Sequence, residues 1–173
     1  MHGLIRLSRW LEIVCRVIAG VALIALLSVT IADVALRYLF RLSDGALDWS
    51  VVGSVELVSY LMLFSLLAAM AANVEKGQVV VEAFSHGLGD SLKARIAGVY
   101  LLGFVALGAV LCMGLWQSAL SAAAHGEITQ DLRLPMAPIY YVASGLCALL
   151  GVRCLLHAVL SGIFGHSVEP THE

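Results

Sequence analysis

Three ionisable residues stand inside or close against long apolar stretches, where charge is costly: Asp33, Arg37 and Glu56. Asp33 and Arg37 are four residues apart, so on a helix they share one face and can pair. Glu56 falls about one turn inside the following apolar run. A carboxylate in such a place is the group a small four-helix exporter would use as a proton or ion site. The same residues also admit a structural reading, in which Asp33 pairs with Arg37 and Glu56 reaches that arginine from the neighbouring helix. An interhelical Arg37–Glu56 pair is the expectation.

Histidine and cysteine offer less. Haem ligation in a four-helix cytochrome needs facing imidazoles near mid-membrane. His86 and His125 fall at boundaries, and His157 lies on the last turns of the final helix beside Arg153. Cys15, Cys112, Cys147 and Cys154 show no CxxC or metal spacing and read as small buried hydrophobes. Quinone-linked disulfide chemistry would need cysteine pairs in outer loops, and the sequence has none. The expectation is no catalytic residue, no metal and no cofactor.

These residues sit in an unusual setting. Of 173 residues, 61% are hydrophobic and 13% charged, against about 25% charge in an ordinary soluble domain. Four windows, 17–32, 57–74, 96–124 and 134–152, hold no Asp, Glu, Lys or Arg. Each approaches or exceeds the roughly 20 residues that cross a hydrocarbon core. This excludes an ordinary soluble enzyme and a disordered tail, and a net charge of −2 excludes a nucleic-acid binder. The chain reads as an all-α integral membrane protein with four transmembrane helices and no room for a soluble domain.

Helix 1 is expected over about 11–40, with Glu12 and Arg16 paired at its start. Its apolar run exceeds a signal-peptide core and continues through Asp33 without an A-x-A site, so a retained helix is expected. A turn at Ser43-Asp44-Gly45 leads to helix 2, about 51–73. In residues 79–88, Val80, Phe84 and Leu88 would share one helical face and Glu82 and His86 the other, as in a short interfacial helix. Three successive valines keep a brief extended segment as the rival reading. Helix 3, about 91–124, follows Asp90 as N-cap. Helix 4, about 134–162, opens with Pro135 and Pro138 in its first turn, and a disordered tail is expected over 167–173.

Basic residues set the orientation. Arg6, Arg9, Arg16, Lys76, Lys93, Arg95 and Arg153 would lie on one side, and only Arg37, Arg41 and Arg133 on the other. Both termini are therefore expected in the cytoplasm. Trp10 would mark that boundary, with Tyr38, Phe40, Trp49, Tyr140 and Tyr141 near the opposite one. Small residues form stripes that let helices approach: Ala25, Ser28, Ala32 and Ala35 on helix 1, and Ser144, Ala148, Gly151 and Ala158 on helix 4. The glycines of helix 3 do not share a face.

Four segments in fixed order carry a resemblance: Asp33-Val-Ala-Leu-Arg37-Tyr38-Leu-Phe40, then Val55-Glu56-Leu57-Val-Ser-Tyr60-Leu61, then Lys76-Gly77-Gln78-Val-Val-Val81-Glu82, and finally Asp131-Leu-Arg133-Leu134-Pro135-Met136. Together, over roughly 11–160, the chain resembles the DctQ-like small membrane subunit of tripartite ATP-independent periplasmic (TRAP) transporters. It departs from the family at Gln78, where a His is common, at Glu82, where an Asp is common, and at Ala68, where a Gly is usual. The resemblance implies a single DctQ-like domain over 1–173 in the bacterial inner membrane. It implies an accessory role beside a large subunit, which holds the substrate and sodium sites, and a periplasmic solute-binding protein that delivers an organic acid. Asp33, Arg37, Glu56 and Pro135 are then structural or interface residues. The competing classes are a stand-alone exporter using Asp33 or Glu56, and a membrane redox anchor.

Overall fold

The computed structural model describes the backbone of residues 2–43, 52–74 and 90–164, and within them the side chains of 6–43, 52–74 and 98–159. Among these residues four helices form: α1 (His2–Leu42), α2 (Ser54–Ala72), α3 (Asp90–His125) and α4 (Met136–Phe164). All four contain segments long and apolar enough to cross a membrane. The 44–51 connection with Trp49, the 75–89 segment with Gln78, Glu82 and the expected interfacial helix, and the 167–173 tail lie outside the described residues.

The helices are arranged as an open row. α3 packs most extensively on α4, α1 packs on α2, and α2 on α4, while α1 barely meets α4. α4 is thus the inner helix that joins the two pairs. The main core cluster draws Cys15 from α1, Ala71 and Ala72 from α2, Leu101 from α3, and Leu150 and Cys154 from α4. A second cluster joins Ala19, Ala68 and Leu146. Small residues dominate both clusters, because close backbone approach supplies the packing that hydrophobicity cannot supply in lipid.

At 1.5 Å per residue the 19-residue α2 is about 28 Å long, close to the hydrocarbon thickness. α1, with 41 residues, is roughly 60 Å long. Its Cys15 lies in the cluster that includes the C-terminal end of α2, so its first three turns or so run on past that end. α1 therefore begins well before the expected position near residue 11. Charge-free windows mark the buried part of a helix, and Arg6, Arg9 and Glu12 do not interrupt a helix that has already left the apolar layer. Glu12 and Arg16 do form their expected ion pair.

The two small-residue stripes have different fates. On α4, Ser144 is buried and donates to the Cys112 carbonyl of α3 at 3.0 Å, with the Cys112 sulfur 3.4 Å away. One turn back along α3 and two turns on along α4, Gly108 and Gly151 meet: a Cβ at Gly108 would stand 3.1 Å from the Gly151 backbone. On α1, Ser28, Ala32 and Ala35 remain exposed, and the helix buries Cys15, Ala19 and Ala22 instead.

Candidate functional site

The polar groups that do recognisable work are gathered at the two ends of α2. At the N-terminal end, Gly53 precedes the helix with φ +74°, a left-handed conformation that favours glycine. A Cβ there would lie 2.5 Å from Leu132 Cγ, so the position also lacks room for a side chain. Glu56 stands in the first turn above it. Its Oε1 accepts the backbone N–H groups of Gln130 (2.8 Å) and Asp131 (3.2 Å), and its Oε2 accepts that of Leu132 (3.1 Å). Three successive main-chain donors thus converge on one carboxylate, a charge-assisted arrangement like an anion-binding nest.

The donors are held ready by the α3–α4 connection. α3 ends in a Schellman-type turn, with Gly126 at φ +64° and Glu127 N–H donating to the Ala122 carbonyl at 3.0 Å. The chain then pairs with itself: Thr129 N–H donates to Leu134 O at 2.8 Å, and Met136 N–H to Glu127 O at 2.9 Å. The buried Thr129 hydroxyl accepts Leu134 N–H at 3.0 Å, and Arg133 takes a left-handed φ of +50° to close the turn. Ile128 and Pro135 form the bridge of this miniature hairpin. They are its non-hydrogen-bonded pair, so the N–H that proline lacks is not required.

Two sequence expectations are corrected here. Glu56 does not pair with Arg37: its oxygens are taken by the 130–132 backbone, and Arg37 bonds instead to Asp33 of its own helix, Nε to Oδ2 at 3.0 Å. Three fixed amide donors outcompete a guanidinium on a long stem that is 64% exposed. Pro135 does not open the last helix. It precedes Met136 as the hairpin's bridge residue, and Pro138 alone occupies the first helical turn.

At the C-terminal end of α2, Asn73 closes the helix, its backbone N–H (3.0 Å) and its side-chain amide (2.9 Å) both donating to Ala69 O. Arg153 of α4, completely buried, donates from Nη1 to Ala72 O at 3.2 Å. A guanidinium therefore meets one of the carbonyls that a helix end leaves unsatisfied, at the negative end of its dipole. From its position in the sequence Arg153 counts only as a marker of membrane side. The missed signal is periodic: Ala143, Leu146, Leu150, Arg153 and His157 follow helical spacing, and all five are buried.

The remaining candidates are dispersed. His125 Nδ1 contacts the Ser121 carbonyl at 2.8 Å at the end of α3, far along the chain from the buried His157. All four cysteines are free thiols. No group of three His, Cys, Asp or Glu side chains is placed to hold a metal among the described residues.

A membrane chain whose charges are spent on helix ends suits a supporting component. The family model described as Tripartite ATP-independent periplasmic transporters, DctQ component, matches residues 26–163. The chain belongs to the DctQ family. It is thus a small membrane subunit of a TRAP transporter, a transporter subunit and not an enzyme. No curated protein and no solved structure matches the chain. The DctQ match begins inside α1 and ends near the end of α4, so it includes both clamps on α2.

Proposed function

We propose that this DctQ subunit braces the fixed part of the large TRAP subunit while that subunit imports an organic acid together with sodium. It forms a heterodimer with the large subunit and supports docking of the periplasmic solute-binding protein. It sits in the bacterial inner membrane with both termini cytoplasmic, as one domain over 1–173. Asp33, Arg37, Glu56 and Pro135 act structurally in this reading.

The observation that carries the proposal is the family match over 26–163. The polar geometry supports a bracing role: Glu56 is occupied by three backbone donors, Asp33 by Arg37, and Arg153 by the end of α2. A carboxylate that must exchange ions with a substrate cannot also serve as a permanent peg for a loop.

The test is purification of the tagged full chain after expression with its neighbouring genes. A much larger multispan protein should co-purify, and reconstitution of both with the binding protein should give sodium-dependent carboxylate uptake. Isolation of the chain as a homodimer that transports unaided would overturn the reading.

A further inference from the structure

The hairpin between α3 and α4 carries one residue whose type the fold does not explain. Arg133 holds a left-handed φ of +50°. That conformation costs any residue with a Cβ, and glycine or asparagine adopts it more readily. Within the chain nothing offsets the strain: Arg133 is exposed, and its side chain has no bonded partner among the described residues. Its backbone is nonetheless fixed on both sides. Gln130, Asp131 and Leu132 donate their N–H groups to Glu56, and Leu134 is bonded in both directions to Thr129. A strained residue held by a rigid frame, with no use inside the chain, points to a contact outside it.

We propose that this hairpin is the surface on which the periplasmic solute-binding protein docks, with Arg133 meeting a carboxylate of that protein. The inference rests on the reading of the chain as a TRAP subunit with both termini cytoplasmic. The hairpin stands at the N-terminal end of the bilayer-length α2, hence at the water boundary. That orientation puts it on the side from which a soluble partner arrives. Its exposed charges are mixed, Glu127 and Asp131 with Arg133, and among the described residues none of the three forms an ion pair. Two acids and one base are a poor match for anionic headgroups, whereas a protein with an acid opposite Arg133 and a base opposite Asp131 complements them. Mobile headgroups also gain nothing from a preset loop, while a protein that docks in one geometry gains from every residue already ordered. Exposed complementary charge speeds encounter more than it holds a complex together. That suits a partner which arrives and leaves, rather than the permanently bound large subunit.

Uptake by the full chain reconstituted with the large subunit, titrated with the binding protein encoded beside them, tests it. Arg133→Glu should raise the binding-protein concentration for half-maximal uptake about tenfold and leave the maximal rate nearly unchanged. Arg133→Lys and Asp131→Lys should each raise it about threefold, and added salt should shrink all these differences. Arg133→Gly should weaken docking as well, yet leave the chain at least as resistant to unfolding by SDS, because glycine relieves the strain. A merely structural arginine would show the opposite pattern. Unchanged half-saturation in Arg133→Glu, with uptake intact, would overturn this inference and leave the bracing role standing. So would a lower maximal rate or poorer recovery of the large subunit with half-saturation unmoved, which would assign Arg133 to that subunit. An effect that follows the anionic-lipid content of the vesicles would assign it to the membrane and overturn the inference too. A wild-type chain that neither co-purifies with the large subunit nor supports uptake would overturn the reading beneath it.

Discussion

At its N-terminal end α2 is tied through Glu56 to a loop, whereas at its C-terminal end it is tied through the buried Arg153 to another helix. Both ties place charge where the helix dipole favours it, acid near the N-terminus and base near the C-terminus. They differ in what would replace them. The loop beside Glu56 has exposed residues on either side, so water or lipid headgroups can reach donors that lose the carboxylate. Arg153 has no exposed surface, and the Ala72 carbonyl it meets belongs to a buried residue. Two clamps of similar logic should therefore have unequal costs of loss.

The largest expected effect is at Arg153. Arg153→Met removes a charged hydrogen bond and leaves the Ala72 carbonyl without that donor, at a cost of about 2–3 kcal/mol. Unfolding of the chain in mixed micelles by added SDS measures it. A loss below about 1 kcal/mol would erase the contrast between the two ends.

Next comes the Glu56 clamp. In Glu56→Gln the carboxamide keeps one acceptor oxygen where the carboxylate had two, so amide hydrogen exchange at Gln130, Asp131 and Leu132 should speed up while α2 itself stays protected. Gly53→Ala strikes the same clamp from below, through left-handed strain and contact with Leu132, and should cost about 1–2 kcal/mol. The charge swap Arg37→Glu with Glu56→Arg should be no better than its worse single variant. Rescue by the swap would restore an Arg37–Glu56 pair and remove the hairpin from the account.

Why one clamp was half legible in the sequence and the other not at all has a physical answer. A bilayer is a blunt constraint, so four charge-free windows are enough to locate four helices. Glu56 stood out because a carboxylate inside such a run is anomalous. Its partners did not, because they are main-chain amides of a loop 74 residues away, and any sequence has amides. The readable guess was a side chain of opposite sign, hence Arg37. Arg153 escapes notice for the reverse reason: standing directly after the charge-free window 134–152, it fits the charge-counting rule for orientation, which hides its place on the buried stripe of α4. Pro135 was read as a helix opener by its usual preference, while its value here is that it lacks an N–H at a bridge position needing none.

A smaller effect separates the α3–α4 contact from both clamps. Gly108→Ala must push its Cβ against the Gly151 backbone at 3.1 Å, where no side chain can swing aside, and should cost about 1 kcal/mol. Ser144→Ala removes one interhelical hydrogen bond, worth about 0.6 kcal/mol among membrane helices. The same SDS titration reads both. A Gly108→Ala cost equal to that of Arg153→Met would mean that backbone contact, rather than charge at helix ends, dominates the assembly.

The smallest effect belongs to the pair whose placement is most suggestive of chemistry. Asp33 and Arg37 bond within one helix, and Arg37 is largely exposed. Exposed pairs at this spacing contribute about 0.3–0.5 kcal/mol, because holding a long side chain in place offsets much of the attraction. Asp33→Asn should therefore change the unfolding free energy of the isolated chain, read by the same SDS titration, by no more than that. If Asp33 were an ion site, the same substitution would leave stability alone but abolish transport by the purified chain. If it belongs to an interface, the isolated chain would be unaffected while recovery of the large subunit falls. The measurement on the chain alone thus separates Asp33 from Arg153, and the measurement on the complex decides whether its charge faces a partner.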